Sequence, residues 1–204
     1  MGKFYNGILG TMTGKVGGVV GRTWKGINTV SAYQPNVSNP RTNAQIGQRD
    51  KLTVLTKLAS NLNSGYIKPL WDKDSKKMSG FNAWIQANMP FVDANGDIDF
   101  HSLIMSKGKM TASPISGVSV EADNVSIEFL NSIGDAFQLP SDLAFVAVVA
   151  ANKEEVFLSS GLARRSEGVV TVSIPRSKQA NLHYYLSFRR ADGSLISDSS
   201  YMNV

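Results

Sequence analysis

The chain has 204 residues, 42% of them hydrophobic, enough for one large domain or two small ones with real cores. It has no cysteine, which excludes disulfides, thiolate catalysis and thiolate-ligated metals. The net charge of +5 is unevenly spread: residues 1–80 carry twelve Lys or Arg against three Asp, and residues 81–204 carry nine against thirteen acids. Such a split fits a nucleic-acid-facing front, or head-to-tail packing of identical subunits steered by opposite charges, and the second reading is preferred.

Residues 1–12 show no defensible period. From Lys15 to Gln34 the chain reads as a β-hairpin, because Val16, Val19, Val20, Trp24, Ile27, Thr29, Val30 and Tyr33 are strand formers. Lys25-Gly26 suits a two-residue turn, where Gly supplies positive φ. The stretch from Thr13 to Val30 holds five glycines and no acid, and its other glycines suggest bulges or close backbone approach. "NPRTNAQ" (39–45) then predicts a helix start, with Thr42 as cap and Gln45 completing a capping box.

The helix is expected to run to about Asn63, with Leu52, Leu55, Ala59, Leu62 and Tyr66 as its apolar stripe, widened by Val54 and Leu58. Gly65 and Pro69 are expected to break it. A second helix is predicted over Gly80–Asn88, capped by Ser79, with Phe81, Trp84 and Ile85 inward and Pro90 beyond its end. From about Ile115 seven short β-rich runs recur: 116–120, 125–130, 143–151, 156–159, 169–174, 183–190 and 195–204. Their spacing predicts an immunoglobulin-like or fibronectin-like sandwich. "AFVAVVAA" (144–151) is apolar on both faces and is expected to be a central strand; "RADGSL" (190–195) turns through Asp192-Gly193. The fold class is therefore α+β, with a basic hairpin arm and helical region over 1–112 and a sandwich over 113–204.

Reactive constellations are scarce. "GTMTGK" (10–15) is one residue short of a Walker loop and is followed by Val16 instead of the metal-binding hydroxyl. "DANGDIDF" (93–100) alternates acids, but Ile98 and Ile104 stand where a calcium loop needs Gly and Glu, so a turn through Asn95-Gly96 is expected. The two histidines, His101 and His183, sit in apolar settings, and Ser159-Ser160-Gly161 lacks the nucleophile-elbow pattern. No enzyme activity, catalytic residue, cofactor or metal is expected. Nor is a small-molecule substrate or a membrane span, since no run approaches the ~18 apolar residues a span needs. The first twenty residues lack the apolar stretch of a signal peptide, and the expectation is a soluble protein folded in a cytoplasm.

"GKVGGVVGRTWKGINTV" followed by "VSNPRTNAQIGQR" resembles the signature of a domain-of-unknown-function family of Bacteroidota and their phages, crAss-like phages included, which reads roughly GKVGxVVGRxWKGxxxV then NPRTxxQ. The likeness continues in "SLIMSKGKM" and in the two strand-rich segments 144–175 and 183–204. Ser31 stands where the family often has Arg, and "KGKMTAS" where relatives often read SLPG. The resemblance implies no enzymatic activity and no catalytic residues. It implies a phage setting, and with it a non-enzymatic virion component in many copies: a ring, collar, connector, or head or tail decoration assembled in the host cytoplasm.

The partners expected are further copies of the chain and other virion proteins. Val19, Val20, Arg22, Trp24, Lys25, Ile27, Val30 and Tyr33 are the candidate interface, with Trp24 as its apolar anchor and the cations setting register. Two alternatives stand: a module of Bacteroidota that binds a surface glycan or protein, and a DNA-associated protein acting through Lys15, Arg22, Lys25, Arg41, Arg49 and Lys51, with Trp24 and Tyr33 for stacking.

Overall fold

Strand formers separated by two-residue turns shape the front of the chain. A computed structural model describes residues 2–4, 12–36, 39, 41–72, 78–130 and 137–203. They form two compact units, Met1–Thr42 and Asn43–Val204. The first unit is an antiparallel sheet of β1 (Gly2–Phe4), β2 (Gly14–Val16), β3 (Val19–Trp24) and β4 (Ile27–Ala32), in the order β1-β4-β3-β2. The predicted hairpin is β3-β4, paired from Val19↔Ala32 to Trp24↔Ile27. It is flanked by two three-residue strands: β1 has no period to read, and β2 overlaps the start of the predicted hairpin.

The second unit opens with α1 (Asn43–Leu62). Leu55, Leu58, Ala59 and Leu62 are fully buried, but Leu52 is 44% exposed and is corrected from the expected core: burial starts only at Leu55. The helix does not break at Gly65 and Pro69. It passes through a π-helical turn, Asn63–Ile67, directly into α2 (Lys68–Trp71). Pro69 has no N–H to give the carbonyl of Gly65, and the Ser160 hydroxyl donates to that oxygen instead at 2.6 Å. Gly65 lets the strand come close there: a Cβ would lie 2.8 Å from the Leu158 side chain, which would have to move. α3 (Gly80–Asn88) begins as expected, with the Ser79 hydroxyl accepting from the Asn82 amide.

The remaining strands are β5 (Ile115–Glu121), β6 (Asn124–Phe129), β7 (Leu143–Ala150), β8 (Val156–Arg164), β9 (Val169–Ser173), β10 (Leu182–Arg189) and β11 (Ser200–Asn203). They make two antiparallel sheets, β11-β10-β7-β8 and β5-β6-β9. Val125, Ile127, Val170 and Val172 from the smaller sheet share a core with Val146, Val148, Tyr184 and Phe188 from the larger, which makes the pair a β-sandwich. The chain is thus α+β.

The doubly apolar run of β7 has a specific cause. Side chains alternate along a strand. Ala144, Val146, Val148 and Ala150 point into the sandwich, while Phe145, Ala147 and Val149 meet a second core with Leu55, Leu62, Tyr66 and Trp84. Helices therefore cover the outer face of the four-stranded sheet. A boundary at 112/113 falls inside this second unit. Among the described residues, no helix is long and apolar enough to cross a membrane.

Candidate assembly surface

The glycines of the opening stretch divide by task. Lys25 and Gly26 both have positive φ, 45° and 78°, and close the β3-β4 turn with the twist a two-residue hairpin prefers. Gly17-Gly18 link β2 to β3, whose last pair is Val16↔Val19. Gly21 carries no turn: a Cβ on it would lie 2.3 Å from the carbonyl oxygen of Met12. Four of the five are thus explained by this sheet's own turns and by an approach within the chain.

Register assigns the faces. Cross-strand partners share a face and sequence neighbours alternate. Lys15↔Val20↔Ser31, Arg22↔Thr29 and Trp24↔Ile27 lie on one face, and Tyr33 continues it beyond β4. Lys15 Nζ sits 3.5 Å above the Tyr33 ring on that face, a cation–π contact. Val16, Val19, Val30 and Ala32 lie on the opposite face. Of the expected interface residues, the structure therefore brings Val20, Arg22, Trp24, Ile27 and Tyr33 together. Val19 and Val30 lie behind them, and Lys25 is in the turn. Lys15 joins the face, a role that alternation could have shown had β2 been recognised. Thr42 immediately precedes the first residue of α1 and Gln45 is in its first turn, the positions of the expected capping box.

The sheet's described side chains are mostly exposed or half-buried. Among its described residues with assigned burial, only Gly21 and Asn28 are buried. Asn28 accepts a hydrogen bond from Thr23 Oγ1 at 2.8 Å. Trp24 is 60% exposed, Val16 60% and Tyr33 45%. The sheet's electrostatics are one-sided. Residues 1–42 hold five Lys or Arg and no acid, whereas residues 43–204 hold sixteen of each sign, so the chain's whole net charge of +5 belongs to the first unit.

Elsewhere the candidate chemistry resolves into structure. Asp93–Asp97 is the expected turn, with Gly96 at φ 84° and the Asp93 carboxylate accepting from the amides of Asn95 and Asp97. Those bonds hold the Asp93 carboxyl below its usual range. The two histidines, distant in sequence, converge on Tyr201. His183 Nδ1 lies 2.9 Å from its hydroxyl, and His101 meets its ring edge-on. Phe100 stacks on His183 at 4.0 Å, and burial lowers the His183 pKa. These contacts tie β10 and β11 to the 99–102 loop. Among the described residues, no group of three or more His, Asp or Glu is placed to hold a metal ion.

A search of curated proteins finds no match. A family profile does match, over residues 11–203, which is nearly the whole chain. The chain belongs to DUF6266, a family of unknown function.

Proposed function

We propose that this protein is a non-enzymatic structural component of a tailed-phage virion, one that assembles in multiple copies as a ring, collar, connector or decoration. The observation that carries this reading is the first-unit sheet: four short strands with Trp24 and Tyr33 exposed, and five cations without an acid. Exposed apolar surface on a sheet of this kind marks an interaction site. In this reading the sheet is an arm, Trp24 is its anchor, and further copies of the chain and other virion proteins are its partners. The setting, phages of Bacteroidota including crAss-like ones, is inferred from the motifs at 14–30 and 37–49. The second unit is read as a fibronectin-like or immunoglobulin-like sandwich, on the strand orders β5-β6-β9 and β11-β10-β7-β8.

The test is composition. Virions purified from the source culture are digested, and this protein is quantified by mass spectrometry against the major capsid protein. A fixed stoichiometric ratio across preparations is expected. Absence from the particles overturns the reading. The same cations and exposed aromatics favour one second reading, a DNA-associated protein. That reading predicts duplex or single-strand binding whose affinity falls steeply with salt.

A further inference from the structure

The three-stranded sheet β5-β6-β9 turns one face to the sandwich core and one outward. The pairs Ser119↔Ser126↔Thr171, Glu121↔Asn124↔Ser173 and Gly117↔Glu128↔Val169 compose the outward face. Its side chains are short, apart from the two carboxylates, and it holds no cation. Ser126 and Thr171 bond each other, and Glu128 lies across Gly117, whose ideal Cβ would sit 3.7 Å from its carboxylate. The result is a flat, anionic surface with one apolar position, Val169, beside Glu128 and 38% exposed.

Three acids of the second unit have a cation beside them. Asp97 pairs with Lys153 at 3.0 Å, Glu155 with Lys178 at 2.7 Å, and Asp142 with buried Arg165. Among the described residues, Glu121 and Glu128 have no such cation. The first-unit face presents the complement: Arg22 beside Trp24, with Lys15 nearby and no acid anywhere in the unit. We propose that the outward face of β5-β6-β9 is the seat on which the first-unit sheet of a second copy packs. Two sheets pack face to face about 10 Å apart when one offers small side chains and the other larger ones. Here Trp24 meets the small-residue floor near Val169, and Arg22 and Lys15 meet Glu128 and Glu121. Because the two surfaces differ, the contact is head-to-tail and propagates from copy to copy, closing into a ring where the rotation permits.

This inference rests on the assembly reading above, and the experiment separates the two. The full chain, Glu121→Lys/Glu128→Lys and Lys15→Glu/Arg22→Glu are compared by sedimentation velocity across concentration. All the altered side chains are outward, so the melt of the second unit, followed by circular dichroism, should coincide with wild type. Each double variant alone should associate about tenfold more weakly or worse, because like charges then face each other. An equimolar mixture of the two should recover association, since each reversed sheet meets a reversed seat. Wild-type association that is lost in Trp24→Ala but unchanged in Glu121→Lys/Glu128→Lys overturns the seat and leaves assembly standing. So does failure of the mixture to recover. A wild-type chain that stays monomeric at every concentration overturns both.

Discussion

The most costly single side chain in the second unit is Arg165. It is fully buried, its guanidinium lies over the Phe188 ring at 3.8 Å, and it donates to Ser113 Oγ and faces Asp142 Oδ2 at 3.4 Å. Burial lowers its pKa, and Asp142 opposes that shift. A buried pair of this kind costs more to break than to replace. Asp142→Ala should therefore cost about 3–5 kcal/mol in urea denaturation, by leaving an unpaired charge inside. A loss within about 0.5 kcal/mol, the range of ordinary surface changes, would show that the pair does not hold this end of the sandwich. His183 sets a pH dependence. Its folded pKa lies below the ordinary 6.5, so near that pH the unfolded chain binds a proton that the folded chain refuses. Stability is full above 6.5 and falls as pH drops below it, levelling only at the folded value. His183→Gln should flatten the slope of stability against pH below 7. An unchanged slope would assign that dependence to other groups.

At the scale of elements, the π-helical turn joins the helices to the sheet. Ser160 completes it by satisfying the Gly65 carbonyl that Pro69 leaves open. Ser160→Ala should cost about 1 kcal/mol, and Pro69→Ala should recover part of that by restoring a backbone donor. Strict additivity in the double-mutant cycle would contradict the exchange. This turn also marks the limit of reading helices from sequence. Gly and Pro locally oppose a helix, and only the hydroxyl of a strand some ninety residues away lets it continue. Where the determinants are local, the sequence reading stands: the Lys25-Gly26 turn, the Ser79 cap and the strand runs at β6 and β9 are all found as expected. β1 was illegible because a three-residue edge strand has no period, and β2 was merged into the predicted hairpin, which began at Lys15. Leu52 misled because it shares the stripe of Leu55 and Leu62, and neighbours rather than periodicity decide where burial begins. The candidate interface was half legible: Trp24 and its cations stand out by composition, but their shared face depends on a register with β2.

For the whole molecule, the two units stand in contrast. Residues 43–204 bury two cores and carry sixteen charges of each sign. The first unit carries the chain's entire net charge, exposes a tryptophan and, among its described residues with assigned burial, buries only Gly21 and Asn28. In the proposed assembly this sheet is the surface that meets a second copy. The direct test is the molar mass of the full chain in solution, measured by size-exclusion chromatography with light scattering, beside Trp24→Ala. The account predicts a multimer for the wild type, and a marked shift to monomer in the variant with an unchanged melt of the second unit. The same multimer in both proteins would contradict it.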